Sequence, residues 1–278
     1  MSEQQTLAIR PARGLVPLDM AELWRYRELA GFFLWRELKS RYRQMALGPL
    51  WMILQPLLNM VIFTIIFSGI ANIKSGTIPY PLFNYSALLL FGFFTQCVTA
   101  TSGSLLKHKD LISKVYFPRL LVPVVGVMTA AIEFLISAVI LVGMMTYYNI
   151  FPAWSLIWIP VFLLATATIG LAVGLWAATW VLHFRDIDNM IAFGVRAWMY
   201  ACPVVYPVTL IAEKYSQWEW LYWLNPMVPV LEGYRWALFG VGTPPSLSQF
   251  LPVLMALPIL IGGAYYFRRT ERNVVDIA

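Results

Sequence analysis

The chain has 278 residues, of which 60% are hydrophobic and 12% charged, and its formal net charge is +6. Soluble domains carry about 25% charged residues, so this composition and a mean hydropathy of +0.68 exclude an ordinary soluble protein. They predict an integral membrane protein. The first 49 residues contain no uninterrupted apolar stretch of the signal-peptide kind, and we expect the first hydrophobic segment to stay in the membrane.

Residues 1–49 form a predicted cytoplasmic segment that contains one amphipathic pattern. Its apolar residues Leu23, Leu34, Trp35 and Leu38 alternate with six basic residues, which are Arg25, Arg27, Arg36, Lys39, Arg41 and Arg43. This pattern predicts a basic amphipathic helix along the inner membrane surface. A simple charged anchor would explain the same cations.

Six apolar segments reach the roughly 20 residues that a helix needs to cross a bilayer core of about 30 Å. They are residues 50–70, 82–102, 121–146, 155–182, 189–209 and 250–267. Sixteen of the twenty Lys and Arg residues fall on one side of these segments, and three fall on the other. The positive-inside rule therefore predicts that both termini are cytoplasmic and that residues 268–278 are a cytoplasmic tail.

Residues 103–120, GSLLKHKDLISKVYFPRL, interrupt the apolar pattern between the second and third segments. If this stretch is drawn as a helix, Lys107, Asp110 and Lys114 share one face, and Leu105 and other apolar residues share another. The pattern predicts a short cytoplasmic amphipathic helix that meets a partner.

Residues 210–249 are apolar but contain Glu219, Glu232 and Arg235, and prolines break them. A further crossing here would place the C-terminal arginines outside, against the charge bias. Two short re-entrant helices in the outer leaflet keep the orientation, and a loop lying flat on the membrane is the alternative. The predicted fold is an all-α integral membrane protein with six transmembrane helices, an N-terminal amphipathic interfacial helix, a cytoplasmic helix at 103–120 and an external re-entrant helix pair.

Motifs for common membrane chemistry do not occur in the sequence. There is no Gly-Lys dipeptide, so the chain has no P-loop for nucleotide phosphates. It has neither HExxH nor GxSxG. Two histidines and two cysteines make no convincing metal site. We therefore expect a transport protein rather than an enzyme, with no metal or cofactor of its own. The topology accounts for the net charge without nucleic acid.

Two ionisable residues lie inside predicted segments, Glu133 and Arg196. Such groups are costly in a membrane, so a functional role is the default hypothesis. Arg196 could instead snorkel toward the cytoplasm, and Glu133 could be protonated or hydrogen-bonded across a helix interface. An ion-coupled carrier would have more such groups and internal repeats, and it remains an alternative. Gly170 and Gly174 have GxxxG spacing, which suits close packing within the chain or between two copies.

Four stretches carry a family resemblance along nearly the whole chain. They are RELKSRYRQMALGPLWMILQPL at 36–57, SKVYFPRLLVP at 113–123, HFRDIDNMI at 183–191 with CPVVYP at 202–207, and LNPMVPVLEGYR at 224–235. With these four stretches in this order, the chain resembles the membrane subunits of type-2 ABC exporters. More narrowly, it resembles the branch that exports O-antigen, capsule and teichoic-acid glycans.

The resemblance implies a bacterial inner-membrane homodimer with two cytoplasmic ABC ATPase subunits, which would hold the ATP and Mg. The implied substrate is an undecaprenyl-diphosphate-linked glycan, and residues 103–120 would be the coupling helix. The implied ATPase contacts are Lys107, Lys109, Asp110, Lys114, Tyr116, Arg185 and Asp186. Solvation and topology explain each of these charges equally well. A drug or small-lipid exporter of the same type is a further alternative.

Two predicted spans carry candidate residues for a substrate channel. The first has Gln55, Asn59, Phe63 and Phe67 at four-residue spacing, which lies roughly on one helix face. The fifth has Phe193, Arg196, Trp198 and Tyr200. The family resemblance implies that these two spans form the walls of a dimeric pore, in which aromatic side chains contact sugars. Packing is the ordinary role of such aromatic residues, and either Arg196 or the basic N-terminal helix could bind the lipid diphosphate.

Overall fold

The computed structural model describes residues 20–42, 50–108, 117–151, 154–184, 186–242 and 244–270, and these ranges contain helices and no strand. The α-helices are α1 Met20–Arg25, α2 Arg27–Tyr42, α3 Leu50–Phe63, α4 Tyr80–Ser102, α5 Ser104–Lys107, α6 Leu121–Tyr147, α7 Ile159–His183, α8 Asp186–Tyr200, α9 Thr209–Lys214, α10 Glu219–Trp223, α11 Met227–Phe239 and α12 Leu247–Thr270. A π-helical stretch, Thr64–Ile70, continues α3.

Five described helices are long and apolar enough to cross a membrane. They are Leu50–Ile70, Tyr80–Ser102, Leu121–Tyr147, Trp154–His183 and Leu247–Thr270. Each coincides within a few residues with a segment that the hydropathy pattern predicts, so five of the six predicted spans are confirmed as long apolar helices.

The remaining predicted span, 189–209, differs in length. Helix α8 has 15 residues and ends at Tyr200, which gives about 22 Å of helix. The chain then turns through 201–206. Pro203 explains the early end, because proline lacks a backbone N–H and moves the preceding residue out of the helical region.

Residues 210–249 contain two short exposed helices and one buried helix. Helices α9 and α10 have no buried residue, whereas most of α11 is buried against α4, α7 and α12. A Cβ added at Gly233 of α11 would lie 2.2 Å from the ring of Phe162. Helix α11 is therefore part of the helical bundle, and it does not lie flat on its surface.

Helix α4 lies at the centre of the bundle, because 72% of its most apolar 18-residue stretch is buried. In the corresponding stretch of the α3 segment, no residue is buried. Helix α4 packs on α7 through the GxxxG glycines. Added Cβ atoms at Gly170 and Gly174 would lie 2.6 and 2.5 Å from the Cβ atoms of Cys97 and Thr101. The GxxxG pattern thus serves packing within the chain.

This packing predicts the effect of enlarging Gly174. We expect Gly174→Ala to cost about 1–3 kcal/mol, because the added methyl overlaps Thr101 and helices must move apart. The measurement is the thermal unfolding midpoint of the detergent-solubilised protein. Gly143→Ala is the control, since its Cβ meets nothing within 4 Å, and we expect it to be neutral or stabilising. Equal midpoints for the two variants would contradict the packing.

Candidate functional site

Helix α2 holds the beginning of the loop between α4 and α6 through an ion pair. Lys107 Nζ donates to Glu37 Oε1 at 2.5 Å, and His108 Nε2 lies 3.6 Å from the other carboxylate oxygen. The nearby His108 and Lys107 side chains lower the pKa of the Glu37 carboxyl to about 2, with His108 as the larger cause. Glu37 is therefore ionised over the whole physiological pH range.

The same helix also holds the end of that loop. Phe33 of α2 is buried, and its ring meets the ring of Phe117 edge-on at a centroid distance of 5.4 Å. The two contacts leave residues 109–116 between them. Residues 109–116 lie outside the described residues and contain four predicted ATPase contacts, which are Lys109, Asp110, Lys114 and Tyr116. Arg185, a fifth predicted contact, is also outside the described residues. Lys107 and Asp186 are described, and both are exposed.

A second ion pair joins α2 to the long helices. Arg41 Nη1 bonds the carboxylate of Glu133 on α6 and donates to Gln96 Oε1 on α4 at 3.0 Å. The side chain of Glu133 is 7% exposed. Of the alternatives for Glu133, a hydrogen bond across a helix interface is therefore confirmed, with a guanidinium as the partner.

The two ion pairs of α2 border one polar cavity of about 130 Å³. Its walls include Glu37 and Arg41 from α2, Thr99 from α4, and Lys107 and His108 at the start of the loop. The cavity lies where α2, α4, α5 and α6 meet. Helix α2 therefore contacts both the beginning of residues 103–120, where the ATPase is predicted to bind, and the long apolar helices α4 and α6.

Helix α2 has one face on the bundle and a second, exposed face with large apolar side chains. Ala30 and Phe33 face the bundle, whereas Trp35 is 67% exposed together with Trp24 and Phe32. The series Ala30, Phe33, Glu37 and Arg41 has helical spacing, and this was the signal available in the sequence. It is hard to recognise because two of its members are charged.

The channel candidates on α3 fall into two groups. Gln55 and Asn59 are exposed, whereas Phe63 and Phe67 are half-buried, pack on the core, and meet edge-on at 5.8 Å. A four-residue step of α-helix advances about 40° beyond one full turn, so the two steps from Gln55 to Phe63 rotate the series by about 80°. The next step, from Phe63 to Phe67, runs through the π-helical stretch.

The channel candidates on α8 lie on an exposed face with one exception. Phe193, Arg196 and Tyr200 are exposed, and Val195 is the one buried residue of this helix. Trp198 instead packs inward: its ring meets Phe94 at 5.2 Å, and its Nε1 donates to Asn225 at 3.0 Å. In the described chain Trp198 therefore makes packing contacts.

Two features bound the chemistry of the described residues. No group of three or more His, Cys, Asp or Glu side chains in the described ranges could hold a metal ion. An open apolar groove of about 560 Å³ lies between α3 and α6, lined by residues such as Leu57, Met60 and Ile140. The charged groups that the described residues bring together connect α2 to α5 and α6.

Comparison with known families identifies the class of protein to which this chain belongs. The model of the ABC-2 type transporter family matches residues 29–239, which is more than half of the chain. The chain belongs to the ABC-2 type transporter family. The matched range includes α2, the loop after α4, α8 and α11. It is a transport permease family.

Three relatives illustrate the similarity. The chain is 28% identical to the O-antigen export system permease protein RfbA of Myxococcus xanthus over 91% of this chain and 95% of the relative. It is 29% identical to the RfbA protein of Klebsiella pneumoniae over 75% and 78%. It is 25% identical to the polysialic acid transport protein KpsM of Escherichia coli over 85% and 91%.

Proposed function

We propose that this ABC-2 permease exports a polysaccharide across a bacterial inner membrane, energised by a separate ABC ATPase. The observation that carries the proposal is similarity over 91% of the chain to an O-antigen export permease, together with similarity to a polysialic acid transport protein. Both names refer to glycan polymers. A drug or small-lipid exporter is the alternative within the family.

The ATPase would dock at residues 103–120. Support comes from α2, which contacts Lys107 and His108 near the beginning of this segment and Phe117 near its end. Because α2 contacts this segment near both of its ends, a force that the ATPase applies to the segment would be transmitted to α2. The candidate contacts are the exposed Lys107 and Asp186, and, outside the described residues, Lys109, Asp110, Lys114, Tyr116 and Arg185.

The proposed topology has six crossings with both termini in the cytoplasm. The five long helices supply five of them, and α8 with residues 201–209 supplies the sixth. The positive-inside distribution supports this orientation. Helix α11 is then the re-entrant element of the outer half, because its 13 residues are too few to cross.

The exposed faces of α3 and α8 would meet a second copy of the chain. Gln55 and Asn59 on α3, and Phe193, Arg196 and Tyr200 on α8, are exposed in the single chain. Polar side chains in a membrane favour a protein interior or an aqueous cavity over lipid. A homodimer with two ATPase subunits would give both helices such an interior and would form the path for the glycan.

The substrate would be linked to a lipid diphosphate such as undecaprenyl diphosphate. Arginine pairs with phosphate in a bidentate way, and Arg196 is exposed on the proposed channel face. Arg25 of α1 and Arg27 and Arg36 of α2 are also exposed, and the proposed topology would place them near the inner headgroups. These are the two candidate sites for the diphosphate.

The test is glycan export in cells that carry channel variants. Asn59→Leu and Tyr200→Ala each remove an interaction worth about 1 kcal/mol, so we expect export about fivefold slower for each. Thr168→Leu and Tyr147→Ala are matched controls on α7 and α6. Unchanged glycan export in both channel variants would contradict the channel assignment. Export of a small lipid in place of the glycan would favour the alternative substrate.

A further inference from the structure

The chain that follows α8 leaves the helix inside an apolar environment. Tyr200 is the last helical residue, and residues 201–206 form irregular turns. The last carbonyl groups of a helix have no partner within it. Irregular backbone at membrane depth is stable only where protein groups satisfy it. The partners of these carbonyls are therefore a structural requirement.

Four of these carbonyls each accept a hydrogen bond from a side chain. The oxygen of Tyr200 accepts from the Tyr206 hydroxyl at 2.9 Å, and that of Val205 accepts from the Tyr80 hydroxyl at 2.7 Å. The oxygen of Ala201 accepts from Asn225 at 3.1 Å. The oxygen of Val204 accepts from Arg235 at 3.1 Å. Three of the four donors lie on other elements of the chain.

Asn225 uses both ends of its amide group at this junction. Its Nδ2 donates to the Ala201 oxygen and lies 3.3 Å from the sulfur of Cys202. Its Oδ1 accepts from Trp198 Nε1 at 3.0 Å and from the backbone N–H of Met227 at 3.1 Å. One side chain thus joins the last turn of α8, the following turn and the first turn of α11.

Arg235 is a buried cation that extends the junction to α4. It is 4% exposed, and its guanidinium lies 3.5 Å from the centre of the Phe83 ring. Besides Val204, it donates to the Phe83 oxygen at 3.4 Å and to Glu232 at 2.9 Å. A planar fork of donors suits several acceptors at once, which a lysine ammonium cannot reproduce.

The helix on the other side of the junction is fixed in the bundle. Gly233 of α11 packs on the Phe162 ring, and Ser155 donates to the Ala237 oxygen at 3.1 Å. Helix α8, in contrast, buries Val195 alone among its residues. The side-chain hydrogen bonds of this junction therefore add to the packing of Trp198 on Phe94 in holding the end of α8.

We propose that Asn225 and Arg235 are positioning residues that fasten the C-terminal end of α8 to α11 and so fix the position of this end of the export path. The proposal rests on the proposed function, which makes α8 a wall of the path. Asn225, Arg235 and their acceptors in residues 200–205 form what we call the α8 latch.

Cys202 is a natural reporter of the latch, and Cys97 is an internal control. Both thiols are free and 0% exposed. Cys202 lies in the latch, whereas Cys97 of α4 packs on Gly170 of α7. Local opening of the latch would expose Cys202 alone, whereas loss of the fold would expose both cysteines.

The experiment compares Arg235→Lys, Asn225→Asp and the control Lys214→Met in the purified complex with its ATPase. Lys214 is an exposed cation of α9. We expect maleimide labelling of Cys202 to rise about tenfold in both latch variants, which corresponds to about 1.4 kcal/mol of local opening. Cys97 labelling and ATP hydrolysis stay as in the parent, and export falls.

Three results would overturn the latch. The first is parental labelling of Cys202 in both variants. The second is full export despite fast labelling of Cys202. The third is equal exposure of both cysteines in both variants, which would make the residues general fold stabilisers. A complex without any ATPase would contradict the proposed function instead, and the labelling comparison would still decide the latch.

Discussion

Replacing Lys107 and Lys114 together by glutamate is expected to reduce export at least about tenfold while the ATPase still hydrolyses ATP. Lys107 Nζ lies 2.5 Å from Glu37 Oε1, so a glutamate at 107 faces a carboxylate that is ionised at physiological pH. Like charges at this distance repel, so we expect the chain around residue 107 to separate from α2. The measurement is glycan export per ATP hydrolysed.

Two further variants locate the effect of Lys107. Lys74→Glu is the control, because Lys74 is exposed in a loop predicted to lie outside. The reversed pair, Glu37→Lys with Lys107→Glu, restores the attraction within the chain. Recovery of export in the reversed pair assigns Lys107 to the contact with α2, and continued loss assigns it to the ATPase. Normal export in the original double variant would contradict the coupling role of this loop.

Arg41→Met is expected to destabilise the protein by about 3 kcal/mol. It removes the cation that pairs with the carboxylate of Glu133, whose side chain is 7% exposed, and breaking a buried pair costs about 3–5 kcal/mol. We expect the lower end of that range because the Arg41 side chain is 32% exposed. The measurement is thermal unfolding in detergent, combined with the yield of folded protein.

The partner substitution separates charge burial from packing. Glu133→Leu added to Arg41→Met removes the buried carboxylate that has lost this cation, so the double variant should be more stable than Arg41→Met alone. Lys39→Met is the matched control, because Lys39 is an exposed cation on the same last turn of α2. If Arg41→Met and Lys39→Met unfold at the same temperature, the ion pair does not hold α2 to the bundle.

The long helices could be predicted from sequence because their signal is local. A run of about 20 apolar residues needs no knowledge of its neighbours, and five such runs became helices of the predicted extent. The exception, α8, ends where Pro203 interrupts it. Hydropathy alone does not register that end, since residues 201–209 remain apolar.

The contacts between distant residues could not be read from the pattern. Arg41 and Glu133 are 92 positions apart, and hydropathy classed one as a topology cation and the other as a costly buried acid. Arg235 similarly counted as an outer cation, yet it is buried and bonds Val204. Such partners depend on how helices pack, and helix packing is a property of the folded chain. Conversely, the GxxxG glycines were visible, and the structure assigned them to the α4–α7 contact.

Whether the chain works as the membrane subunit of an ATP-driven exporter is tested by purifying the tagged chain from its native host in mild detergent. The purified sample is then assayed for a bound ATPase subunit and for MgATP hydrolysis. We expect a stoichiometric ATPase whose hydrolysis depends on residues 103–120 of this chain. A chain that purifies alone under gentle conditions, without nucleotide hydrolysis, would contradict it and would favour an ion-coupled carrier.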